Sequence, residues 1–133
     1  MSHQNDAHTA QLYIPLALAT AGTEGDLFCV NRLGGKAKVS AVDFIADGAV
    51  TADDTNYALF TVTVGGTSVA TMETTTTGTG DIADGGVASA TLSGAGSNLV
   101  AEGGAVKCAI TKPASGVAIA GTLAITLERV RVD

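Results

Sequence analysis

From Asn56 to Val64 apolar and polar residues alternate, with Ala58, Phe60, Val62 and Val64 falling on one side. A period of two is the pattern of a strand with one buried face. It recurs in Ala105–Thr111, where Val106, Cys108 and Ile110 share a side. It recurs again near the end of the chain: Leu123, Ile125 and Leu127 face one way, and Thr122, Ala124, Thr126 and Glu128 the other. Gly65-Gly66 separates Asn56–Val64 from a second β-rich run, Thr67–Glu73. Two glycines between such runs predict a hairpin whose turn residues both take positive φ. Lys36–Ala46 reads as a longer strand in which the apolar positions change phase, from Ala37, Val39 and Ala41 to Val42 and Phe44. Such a change predicts a β-bulge or a strand passing between two sheets. Asp26–Asn31 and Val87–Leu92 are shorter strand candidates.

Ahead of these lies the apolar stretch Leu12–Leu18, interrupted by Pro15. Proline cannot donate to a ladder, so this segment is expected at a sheet edge or as an extended arm. The polar residues 1–9, with His3 and His8, read as a mobile arm. The expected division is therefore an N-terminal arm and edge strand over 1–24 and a β-sandwich over 25–133. On that division, removing residues 1–18 leaves a folded domain. Residues 74–86, rich in Thr and Gly, read as a long exposed loop. No window shows a sustained 3.6-residue period between capping signals. About eight short strands with regular turns predict an all-β fold: an antiparallel β-sandwich, jelly-roll-like, with an extended N-terminal arm. The expected core is Phe28, Phe44, Phe60, Val62, Val106, Ile110, Leu123, Ile125 and Leu127.

Composition sharpens this picture. The 133 residues suit one domain. The chain is 46% hydrophobic but holds no Trp, two Tyr and three Phe, so its core must be built mainly from small aliphatic side chains. Seven basic against thirteen acidic residues give a net charge of −6, which excludes the cationic footprint of a nucleic-acid binder. No apolar run approaches the ~20 residues of a spanning helix, and Met1–Asp6 lacks the pattern of a secretory signal. Synthesis in a cytoplasm and no membrane partner are the expectations.

Candidate chemistry is sparse. Phosphate-loop, nucleophile-elbow and metalloprotease patterns are absent from the sequence. Asp53-Asp54 and Asp81 with Asp84 lie in Gly-rich turns, where carboxylates either bind calcium or stabilise the turn; their spacing fits no calcium loop and favours the turn. Cys29 and Cys108 sit in apolar runs and read as free, buried thiols, bridged only if their strands are neighbours. No cofactor, no metal and no catalytic residue is expected, so the chain reads as a non-enzyme. Arg32, Lys36 and Lys38 form one basic cluster, and Arg129 and Arg131 another. Such charges protect sheet edges or form a docking face for an acidic partner.

Residues 98–116, NLVAEGGAVKCAITKPASG, followed by 117–128, VAIAGTLAITLE, resemble the closing hairpin of small jelly-roll proteins that decorate or cement the capsids of tailed bacteriophages. Val39–Ala46 and the Asp-rich turn after it are similar as well. The resemblance implies a structural protein on the capsid exterior of a virion, bound to the lattice of the major capsid protein. It also implies a homotrimer whose terminal arm reaches its neighbours, and it brings no catalytic residue. The expected capsid or inter-subunit contacts are Leu12, Tyr13, Ile14 and Leu16 in the arm, and Arg32, Lys36 and Lys38 in the first basic cluster. The alternative is a head-fibre or receptor-binding knob recognising host-surface glycans. Such sites usually display several aromatics, and here only Tyr13 and Tyr57 are on offer, without Trp.

Overall fold

Among the described residues the first and last strands pair, the second pairs with the one before last, and the third with the one before that. The computed structural model describes residues 8–18, 26–93 and 99–130. Their strands are β1 (Thr9–Leu18), β2 (Leu27–Val30), β3 (Ala37–Ala46), β4 (Leu59–Val64), β5 (Thr67–Glu73), β6 (Val87–Ser89), β7 (Thr91–Leu92), β8 (Leu99–Val100), β9 (Ala105–Thr111) and β10 (Ile119–Arg129). One sheet runs β1-β10-β3-β6, with β8 also on β3, and the other runs β2-β9-β4-β5-β7. All pairings are antiparallel. A long hairpin rolled up in this way gives the two interlocked Greek keys of a jelly roll. The described residues contain no helix, and so none that could cross a membrane. The expected arm residues 1–7, with His3, the loop residues 19–25 and 94–98, and Arg131 lie outside the described residues.

The phase change in β3 is a bulge. Its pairing with β10 shifts between Thr126 and Leu127, where Ser40 is the extra residue. Val39, Val42 and Phe44 consequently all face the core. Gly65 and Gly66 form the turn between β4 and β5, with φ of 59° and 85°. The expected strand Val87–Leu92 is split: β6 pairs with β3 in one sheet and β7 with β5 in the other, with Ala90 at the crossing. The expected closing hairpin does not form, because β9 and β10 belong to different sheets and the loop between them arches across the sandwich.

Phe44 of β3 and Phe60 of β4 meet between the layers, ring centroids 5.4 Å apart. Val62, Val106, Ile110, Leu123, Ile125 and Leu127 are buried around them. Close packing here requires Gly121, which sits at φ +151° against Phe44; a Cβ there would collide with the carbonyl oxygen of Ile45. Phe28 departs from the expected core. It is 60% exposed on the outer face of the β2 sheet, while its neighbours Leu27 and Cys29 turn inward. Four consecutive apolar residues carry no alternation to set their phase, so the sequence could not show which side faces out.

Two further segments follow the expectation in part. Residues 74–86 form a loop, most of it exposed, but Thr74, Thr75 and Ile82 within it are buried. Val50 and Ile82 exchange two backbone hydrogen bonds of 2.8 Å, latching this segment to residues 47–58. The described part of the arm, Thr9–Leu18, is an integral strand. It pairs with β10 along its whole length, with Pro15 at the sheet edge as expected.

Candidate docking surface

Strand direction sorts the charged loops to opposite ends of the sandwich. Residues 47–58, 74–86 and 112–118 connect strands at one end, which gathers Asp47, Asp53, Asp54, Glu73, Asp81 and Asp84 with Lys112. Residues 31–36 and 101–104 and the end of β10 lie at the other, with Arg32, Lys36, Lys38 and Arg129 against Glu102 and Glu128. The domain is therefore polar along its strands, acidic at one end and basic at the other.

At the acidic end the carboxylates hold turns. Asp53 accepts from the backbone N–H groups of Asn56 and Thr55, which keep its carboxyl below the usual range. Asp54 accepts from the N–H and hydroxyl of Thr76, Asp81 from Ala52 N–H, and Asp84 from Gly48 N–H. Among the described residues no three His, Cys, Asp or Glu side chains gather where they could hold a metal ion.

The basic end is organised by Asn31, which is fully buried. Its Nδ2 donates to the carbonyl oxygens of Gly35 (2.9 Å), Val100 (3.0 Å) and Ala101 (3.3 Å), and its Oδ1 accepts from Leu33 N–H at 3.0 Å. One amide thus fastens the 31–36 loop to the β8–β9 loop; a buried polar group so satisfied is rigid, and costly to truncate. In the sequence the only signal for Asn31 is its polarity at the end of the apolar run Leu27–Val30. Arg32 reaches Glu102 at 3.9 Å and Lys38 reaches Glu128 at 3.5 Å, exposed pairs that contribute little to stability. Arg129 joins this end because the end of β10 pairs with the start of β3, and its guanidinium lies over Gly35. No sequence signal connected it with Lys36 and Lys38.

The four apolar contacts expected in the arm are divided by the strand's own alternation. Leu16 is buried, and Leu12 and Ile14 are half-buried against the core. Only Tyr13 is exposed, at 62%, on the outer face of the β1 sheet. There it stands beside the cross-strand row Pro15, Thr122, Ile45 and Val87. Leu12, Ile14 and Leu16 are thus committed to their own domain.

The strands of Cys29 and Cys108 do turn out to be neighbours. Cys29 pairs with Val106 and Cys108 with Leu27, so the thiols are diagonal on one face and unbridged. Diagonal positions are about 7–8 Å apart, beyond the reach of an unstrained disulfide. Cys108 is buried as expected, but Cys29 only half so. Burial raises the Cys29 thiol; burial, then Asp26 and Cys29, push Cys108 up to about 12. Both thiols therefore stay protonated at pH 8, and the stability contributed by neutral Cys108 is lost only as pH climbs toward its folded value. Iodoacetamide at pH 8 is expected to label Cys29 slowly and Cys108 more slowly still, and both readily in denaturant. Native labelling of Cys108 at the rate of a free thiol would contradict its burial.

No protein-family model matches the chain, and no curated protein or solved structure is significantly similar to it.

Proposed function

We propose that this chain is a structural, non-catalytic protein that decorates the outer surface of a tailed-phage capsid. In this reading its basic end sits on the lattice of the major capsid protein. The observation that carries the reading is the separation of charge along the strands. A domain with one basic and one acidic end meets an acidic shell in a single orientation, so charge directs docking more than it supplies affinity. Affinity then comes from many copies engaging equivalent positions, in groups of three as the resemblance implies. The jelly-roll fold supports the reading too, since its ends and faces are carried on rigidly paired strands.

The test is binding to purified shells of the phage that encodes the chain, measured by co-sedimentation. Wild-type chain is expected to bind, and to bind less as salt rises, because exposed charges are screened beyond about 10 Å at 0.1 M salt. The double variant Lys36→Glu, Lys38→Glu is expected to bind about tenfold more weakly or worse, with its fold intact. Equal binding by the variant would remove the basic end from the interface. Binding to host-surface glycans with none to shells would replace the decoration reading by that of a receptor-binding knob.

A further inference from the structure

We propose that two copies of this chain pair across a two-fold axis through β2, joining their β2 sheets into one continuous sheet. Exposed sheet edges are normally blunted by charge, proline, a bulge or extreme shortness. Here β1 carries Pro15, while β6, β7 and β8 are two or three residues long. The edge strand β2, Leu27-Phe28-Cys29-Val30, has none of these devices and displays a 60% exposed phenylalanine.

Hydrogen bonding shows which groups this edge offers. Asn31 N–H donates to Gly104 O, and Asn31 O accepts from Gly103 N–H, so residue 31 bonds toward β9. Alternation along an antiparallel ladder then directs Leu27 and Cys29 to β9 and turns the N–H and C=O groups of Phe28 and Val30 outward. Among the described residues no hydrogen bond reaches those outward groups.

A two-fold axis can pair them in three ways, centred on residue 28, 29 or 30, and charge selects one. Centring on Cys29 sets Phe28 against the partner's Val30, so that each such pair exchanges two backbone hydrogen bonds. It also sets Asp26 of each copy against the partner's Arg32, an acid opposite a base on both sides of the axis. The other two centres place Asp26 against the partner's Val30, or Arg32 against the partner's Phe28. Side chains two apart share a face, so Asp26, Phe28, Val30 and Arg32 line one side of the seam. Asp26 and Arg32 are exposed and only weakly engaged within the copy, at 3.6 Å to Lys107 and 3.9 Å to Glu102. Cys29 then faces the partner's Cys29 as a non-hydrogen-bonded pair, about 4.5 Å between Cα atoms, a separation that a disulfide can span.

The pairing does not rest on the decoration reading; it shares Arg32 with the basic end but uses neither Tyr13 nor Lys36 and Lys38, the two residues that the docking variant changes. A three-fold grouping on a shell would then be imposed by the shell, with two-fold contacts linking copies. Sedimentation of the full chain tests it. Wild type is expected at the mass of two chains, dissociating on dilution. Phe28→Lys, which changes a solvent-facing side chain, is expected to keep its circular dichroism spectrum and raise the dissociation constant about tenfold or more. Asp26→Arg is expected to weaken pairing, and Asp26→Arg with Arg32→Asp to restore it. In a Cys108→Ser chain, copper–phenanthroline oxidation is expected to yield a disulfide-linked dimer that Cys29→Ser abolishes. A single-chain mass at every concentration, or an assembly that Phe28→Lys leaves intact, overturns the pairing. A dimer that Cys29 does not cross-link overturns the Cys29-centred register. Shell binding is read separately, so neither failure can be mistaken for the other.

Discussion

A chain lacking residues 1–18 is expected to lose its cooperative fold, or to melt roughly 20 °C or more below the full chain. These residues include a ten-residue strand paired throughout with β10, itself central to the sheet. Its removal strips Leu16, which is buried, and Leu12 and Ile14, which are half-buried, from the core. Full burial of such a side chain is worth about 1.5–3 kcal/mol, and the half-buried pair less each. The loss is on the order of 5 kcal/mol, comparable with the whole stability of many domains. It also opens the edge of β10, where Leu123 and Ile125 are fully buried, and so invites aggregation. A truncated chain melting within a few degrees of wild type would show that Thr9–Leu18 is an appendage, as the sequence analysis expected. Where the truncated chain unfolds, its loss of shell binding carries no information about docking, whereas the charge variant is expected to keep its fold.

The second large effect separates three phenylalanines that the sequence analysis treated alike. Phe44→Ala and Phe60→Ala are each expected to cost about 3–5 kcal/mol, because both rings are interior and the sandwich cannot collapse onto the space they leave. The rings touch across the layers, with centroids 5.4 Å apart. The double variant should therefore show about 0.5–1.5 kcal/mol of coupling rather than simple additivity. Phe28→Ala, measured where the chain is monomeric, should stay within about 0.5 kcal/mol of wild type, since an exposed ring has little burial to lose. Denaturant titration of the four chains checks all of this. A Phe28→Ala cost approaching that of Phe60→Ala would place Phe28 inside.

Read by themselves, the residues determined the class of fold and most of its interior. Alternation in Asn56–Val64, Ala105–Thr111 and Thr122–Glu128 assigned Phe60, Val62, Val106, Ile110, Leu123, Ile125 and Leu127 to the core, and all are buried. The Gly65-Gly66 turn, the edge position of Pro15 and the bulge in β3 were equally local: positive φ, a missing donor and a phase change each act within a few residues. Tertiary structure decided whatever depended on partners distant in the chain. The pairing of β1 with β10, residues more than 100 positions apart, made the expected arm and edge strand an edge strand of the sandwich itself over Thr9–Leu18. The placing of β9 and β10 in different sheets replaced a hairpin by an arch. The outward face of Phe28 was set by the register of β2 on β9. The gathering of Arg129 with Lys36 and Lys38, and of the loop carboxylates at the opposite end, followed from which strands run which way. The reason is common to all four: a strand's own period says that one face is buried, but only its neighbours in the sheet determine which face that is, where the strand lies, and which charges it brings together.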